Sequence, residues 1–450
     1  MCRLSKAPSG RRTWIWVTIA AILCFALLSL PALPALGADS ATTQASKQSP
    51  STRESPNALM AEAQAAANRR DYATAIKDLK PLTESYPRYA PAWFELAYVY
   101  TGLHENDLAL NAYRKTTELD PSLFQARLNL GILLLEMKRP ADGLAELEKA
   151  AGIKPGDSRP HLYAGRAQEA AGDPAAAEAE FQTAARLKPD SPEAFLELGQ
   201  IELRQKDYVA ARDAFETAAA LDPRLSEAAL GAGIALANLK QRALAAPYFE
   251  RYLAANPADD ARRFEFGQAE LELGAYAKAL SAFEEIEQRN PKFPGLNGAL
   301  GETYALLGQF PASEKYYRLA VASEPTQAEF HRGLAETLMR EKQYPGAEAE
   351  FRTSLKLNPR SRDSAQGLAA SLCFERRYEE ALPLLEQLVE SPPVTATNYL
   401  LLGLSFDHLH QVKPAIAAYQ QFLSLSHGQH PDQEWQAQQQ IKLLEHELGR

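Results

Sequence analysis

Ten prolines stand at positions 87, 121, 155, 189, 223, 257, 291, 325, 359 and 393, and every interval between them is 34 residues. Only 29 of the 450 residues are proline, so ten in one register mark a repeated unit rather than scattered turns. Proline lacks the N–H that a helix interior needs and disfavours helix at the residue before it. Most of the ten follow a short polar or charged residue, as in Asp120-Pro121, Lys154-Pro155 and Asn256-Pro257. Each therefore predicts the end of a helix.

Other columns keep the same period. Small residues recur at Ala63, Ala97, Gly131, Gly165, Gly199, Gly233, Gly267, Gly301, Ala335, Ala369 and Gly403, and again from Ala75 and Ala109 through Ala381 and Ala415. Four residues after this second column comes a large one that includes Leu79, Tyr113, Leu147, Phe181, Phe215, Phe249, Phe283, Tyr317, Phe351, Leu385 and Tyr419. Small residues let two helix backbones approach, and the large side chain plugs the space beside them. Turn signals such as Lys206-Asp207-Tyr208 and Gly172-Asp173-Pro174 sit between the small columns. One unit is thus an αα-hairpin; in the fifth unit the helices are expected near 193–205 and 208–221, with apolar faces built from Phe195, Leu198, Ile201, Leu203, Tyr208, Phe215 and Leu221.

Period, small columns, aromatic column and proline together resemble the tetratricopeptide repeat, a helix–turn–helix unit of 34 residues. The resemblance covers 56–429, eleven units without insertion. It implies an all-α fold, a right-handed superhelical α-solenoid. The aromatic usual in the first helix is present as Trp93, Phe195 and Tyr399, but Arg127, His161, Arg263, Asn297 and His331 replace it elsewhere, which weakens packing expectations in those units. Glu62 stands where most units have Leu, as suits an end repeat, and 430–450 reads as a polar capping helix with Trp435, Ile441, Leu444 and Leu448 turned inward.

By the same resemblance the first helix of each unit lines a concave face. Its exposed positions would include Phe94, Tyr98, Gln125, Leu128, Leu162, Arg166, Leu196, Gln200, Leu230, Phe264 and Gln268. These suit a protein or peptide lying in the groove, with apolar anchors toward the N-terminal half. The competing reading tucks the same apolar side chains into helix–helix contacts. Units eight to ten differ, because Glu302, Arg332, Glu336 and Asp363 make the surface charged. Lys and Asn that grip a chaperone's C-terminal carboxylate in one subclass are missing, and only Asn129 fits the asparagine ladder of another.

The N-terminal segment has its own logic. Residues 1–37 carry Arg3, Lys6, Arg11 and Arg12 without an acid, then an uncharged run from Thr13 to Leu30, then Pro31, Pro34 and the small stretch around Gly37. That order predicts a secretory signal peptide or an uncleaved membrane anchor through residues 13–30, with the remainder outside the cytoplasm in either case. Residues 38–55 read as a flexible Ser/Thr-rich linker. Setting aside those four leader charges takes the net charge from −9 to −13, and so acidic a body argues against nucleic acid as a partner.

Catalytic signatures are missing. The chain has no Walker-type phosphate loop, no Gly-x-Ser-x-Gly elbow and no His-Glu-x-x-His, and Gly231-Ala232-Gly233 belongs to the packing columns. No cofactor is implied. His408, His410, His427 and His430 do not converge as metal ligands would, and Cys373 reads as a small core residue. The expectation is a non-enzymatic scaffold for a protein partner in a bacterial cell envelope. The alternative is an accessory subunit of an envelope glycan-export or glycosyltransferase system, and whether the array self-associates is left open.

Overall fold

The computed structural model describes residues 56–390 and 392–449, and the signal-peptide, anchor and linker expectations lie outside the described residues. Among the described residues there are 23 helices and no strand. They form eleven hairpins, each with a first helix A and a second helix B, from Pro56–Asn68 with Tyr72–Ser85 to Ala396–His408 with Val412–Ser426, followed by a last helix, Pro431–Leu448. The fifth pair is Pro192–Gln205 and Tyr208–Leu221, within a residue of the expected bounds.

Helix ends follow the sequence period. The B helices cap on Asp120, Lys154, Lys188, Asp222, Asn256, Asn290, Glu324 and Asn358, each the residue before one of the periodic prolines. The turn from A to B passes once per unit through left-handed backbone, at Arg70, His104, Lys138, Gly172, Lys206, Lys240, Gly274, Gly308, Lys342, Arg376 and His410. Six of these eleven are Lys or Arg, although a side chain there is strained relative to glycine. A positive charge at the C-terminal end of helix A offsets part of that strain through the helix dipole. Asp71, Asp173 and Asp207 then cap the following B helices by accepting backbone N–H groups.

The large column fills the space that the small columns leave. Phe181, Phe215, Phe249 and Phe283 are almost wholly buried. The Phe215 ring lies between two backbones: a Cβ added at Gly199 would fall 2.9 Å from it, and one at Gly231 of the next unit 2.5 Å. Gly231→Ala is therefore expected to lower stability by about 1–2 kcal/mol, overpacking outweighing the better helix propensity of Ala. Urea unfolding of the two proteins measures this, and an unchanged midpoint would show that the ring has room to move.

Each A helix packs on its own B helix, on the preceding B helix and, in most units, on the next A helix. Rows of A helices in mutual contact place that layer on the inner side of the stack.

The first-helix column is latched by polar groups, at the aromatic Trp93 as well as at four of the five positions that depart from the pattern. Trp93 donates its indole N–H to the Pro87 carbonyl at 3.0 Å. Arg127 donates to the Pro121 carbonyl at 2.7 Å and pairs with Glu146 at 2.6 Å. His331 lies 3.0 Å from the Pro325 carbonyl and 2.6 Å from Glu350, and His161 lies 2.8 Å from Glu180. Arg263 uses the Pro257 carbonyl at 2.8 Å and Glu285 at 2.7 Å. At Arg127, His161, Arg263 and His331 hydrogen bonds and ion pairs thus stand where other units have an aromatic.

The last helix buries Ala437 and Leu444, with Ile441 partly buried, and exposes Trp435 at 62% and Leu448 at 47%. The inward placement expected for Trp435 and Leu448 is corrected, because a single helix face meets the eleventh unit and these two residues lie off it. Cys373 is buried, its thiol 3.4 Å from the Ser405 hydroxyl and pushed up in pKa by burial. No helix of the described residues is long and apolar enough to cross a membrane.

Candidate functional site

A cavity of about 960 Å³ opens on the A-helix layer of units seven to ten. Its origin is legible one residue at a time. Along the inner ridge, Phe94, Leu128, Leu162, Leu196, Leu230 and Phe264 occupy one register position, and the next is Gly298. The ridge therefore loses a side chain at unit eight. The A helix there is also short: it begins at Leu296 behind Pro294 and a left-handed Gly295, whereas the A helix of unit seven begins at Asp260. Phe330 from the following A helix lies over the gap, and a Cβ at Gly298 would meet its ring at 2.2 Å.

Aromatic side chains form the walls. Phe264 is held by Phe283 and Phe293, with ring centroids 5.4 and 5.2 Å away. Phe374, 57% exposed, is stacked on Tyr344 at 4.8 Å. Phe310, Leu306 and Met339 complete the apolar lining. The charged groups are Glu302, Glu329, Arg332, Glu336 and Arg340. Arg332 is engaged by Glu336, one helical turn away, at 2.6 Å. Crowding by the groove walls pushes the Glu302 carboxyl above its ordinary pKa; Arg332 pulls it back and Glu336 pushes it further. The surface accepts an object with both apolar and charged parts, and its rings are fixed before anything binds.

The groove residues expected from sequence separate into groups. Phe264 and Gln268 line this cavity. Tyr98 is exposed at 47%. Phe94, Leu162, Leu196 and Leu230 are half-buried against neighbouring core clusters, Phe94 edge-on to Tyr113 at 6.1 Å. Gln125 is tied to Asn129 at 2.9 Å, Arg166 pairs with Glu197 at 2.6 Å, and Gln200 is half-buried. Leu128 is 1% exposed, so its placement on the open groove surface is corrected: it packs with Phe124, Leu147 and Ala164. Sequence reasoning missed Gly298, Phe330 and Phe374, although the glycine's interruption of an apolar column was a signal.

A second cavity, about 520 Å³, lies between unit eleven and the last helix, lined by Leu400, Leu404, Asp407, Trp435, Gln436 and Gln440 among others. Among the described residues no group of three or more His, Cys, Asp or Glu side chains is arranged to hold a metal ion.

Stacked helical hairpins with an open inner face define the class as an α-solenoid. Models of the tetratricopeptide repeat match residues 60–122, 100–158, 163–226, 227–296, 270–337 and 368–433, and the chain belongs to that family. Members of that family are generally non-catalytic scaffolds, and the repeats support a protein-interaction scaffold here. A search of curated proteins returned no match. Among solved structures, pilF of Pseudomonas aeruginosa is 24% identical over 48% of this chain and 97% of its own, with a TM-score of 0.42. PilW, described as a widely conserved type IV pilus biogenesis factor, is 22% identical over 47% and 97%, with a TM-score of 0.41. Yeast Tom70 is 15% identical over 87% and 96%, with a TM-score of 0.35.

Proposed function

We propose that the chain is exported and holds a peptide segment of a partner protein in the concave cavity of units seven to ten, as a scaffold for assembling a complex in the cell envelope. The carrying observation is the cavity itself, about 960 Å³ with pre-packed aromatic walls and charges within reach. The basic, then apolar, then small-residue order of 1–37 supports the location outside the cytoplasm. Of the apolar anchors expected in the N-terminal half, Leu128 is buried, and Phe94, Leu162, Leu196 and Leu230 are half-buried against the core.

The test is capture of envelope proteins by the full chain, beside a variant carrying Leu306→Glu and Phe374→Glu. Both positions are exposed, at 46% and 57%, so circular dichroism is expected to show a folded variant. A partner retained by the first and lost by the second, with at least about a ten-fold drop in affinity, is the expected result. Equal capture by both would move the binding surface elsewhere.

A second reading, an accessory role on an envelope glycan, is favoured by the exposed Trp435 ring beside Gln436, Gln440 and Asp407 at the second cavity. Such a ring offers an apolar face with polar groups around it. Glycan released from the purified protein, and lost with Trp435→Ala, would support it.

A further inference from the structure

The charge pattern of the cavity narrows the partner's chemistry, on the footing that the cavity is where a peptide docks. Glu336 is taken up by Arg332. Among the described residues, Glu302 and Glu329 line the cavity with no ion pair of their own, and Asp363 stands exposed on the next A helix. Against them is Arg340, exposed at the end of its helix. After the internal pair is set aside, the cavity keeps an excess of carboxylate. Residues 56–450 carry the whole net charge of −13, since Asp39, Lys47, Arg53 and Glu54 cancel in the stretch before them. The local excess and the field of the whole array therefore have the same sign.

Aromatic rings stand around these carboxylates. Phe264 is fixed by two rings and Phe374 by one, while Phe330 covers the gap at Gly298. Ring faces are negative and attract cations, and a carboxylate in a crowded groove gains more from an incoming cation than one in open water. An anionic side chain would face Glu302 and Glu329 across the same space, and like charges at such range are unfavourable. An entirely apolar segment would cover Glu302 while its cationic neighbour Arg332 stays paired with Glu336, which is costly.

We propose that the cavity of units seven to ten selects an extended segment in which a lysine or arginine side chain, flanked by apolar residues, reaches Glu302 between the Phe264, Phe330 and Phe374 rings. Apolar neighbours on the segment then cover Leu306 and Met339.

The test uses the full chain and three fluorescein-labelled nine-residue peptides, amidated at the C-terminus, with leucines flanking a central Lys, Gln or Glu. Binding is followed by anisotropy for the unaltered protein, for Glu302→Gln and for Phe374→Glu. Expected are at least about ten-fold tighter binding of the Lys peptide than of the Glu peptide, and a loss of that preference in Glu302→Gln. The preference should also fade at roughly 0.5 M salt, where exposed charges are screened. Equal binding of all three peptides, lost only in Phe374→Glu, overturns the cation selection and leaves the groove reading in place. Tighter binding of the Glu peptide overturns it in favour of Arg332 and Arg340 as the reading groups. Binding of none overturns it too, and the groove reading then rests on the capture result alone. Glu302 is a solvent-facing helix position, so its Gln variant is expected to keep the circular dichroism of the parent.

Discussion

Replacing Glu146 with Ala is expected to destabilise the third unit by about 2–3 kcal/mol, and adding Arg127→Trp to the same chain is expected to restore most of it. Two columns of the repeat vary together. Where the first-helix column holds an aromatic (Trp93, Phe195, Tyr399), the residue nineteen positions later is Ala112, Ala214 or Ala418. Where it holds Arg127, His161 or His331, that later residue is Glu146, Glu180 or Glu350, and the structure brings each pair together, whereas Arg263 has Ala282 there and pairs with Glu285 instead. Arg127 and Glu146 are only 13% and 17% exposed, so removing one carboxylate leaves a guanidinium in a place with little water to solvate it. The double change recreates the Trp93–Ala112 pairing of unit two, with the indole N–H free to use the Pro121 carbonyl that Arg127 uses now. Long repeat arrays do not unfold in one step, so the effect is best read as amide exchange in Phe124–Glu136 and Pro140–Ile153. Unchanged exchange in the single variant, or no recovery in the double, would show that the two side chains do not act as a pair.

Glu202→Leu is expected to stabilise unit five by about 2–3 kcal/mol at pH 8 and by much less at pH 4. Glu202 is 7% exposed, and its Oε2 has no hydrogen-bond partner. Burial pushes its carboxyl from 4.5 to about 7, with Glu178, Asp207 and Asp213 adding repulsion. The folded state thus holds the proton more tightly than the unfolded chain does. Stability from this group is full below the unfolded value of 4.5, is lost as pH rises toward about 7, and stays lost above it. At roughly 1.4 kcal/mol per pKa unit the shift amounts to about 3 kcal/mol, reduced somewhat by relaxation and water entry. The same register position holds Leu134, Leu236, Leu338 and Leu372, so leucine fits the column. Urea unfolding at the two pH values, with Glu202→Gln as an uncharged control, measures the difference. A gain that is the same at both would trace to packing and not to ionisation.

Periodicity made most of the fold legible. A proline every 34 residues can end a helix in one way only, and a small column facing a large one leaves a single packing of the hairpin. The helix bounds of unit five, the burial of the Phe column and the burial of Cys373 follow from that, since they depend on neighbours at fixed offsets. The groove was harder to read. Leu128 and Leu162 share a column, yet one is shut into the core and the other is half open, because burial there depends on the tilt and approach of the next A helix. Trp435 and Leu448 were misplaced for a related reason, as nothing beyond the last hairpin repeats to set which face of the final helix is covered.

The amino-acid sequence by itself determined the repeat, the all-α solenoid, the turn positions and the acidic character of the array, because each depends on local backbone chemistry or simple composition. Only the tertiary structure decided where the inner face opens. A missing side chain at Gly298, a helix shortened by Pro294 and Gly295, and rings contributed from residues as far apart as Phe264 and Phe374 become one cavity only when successive A helices are stacked.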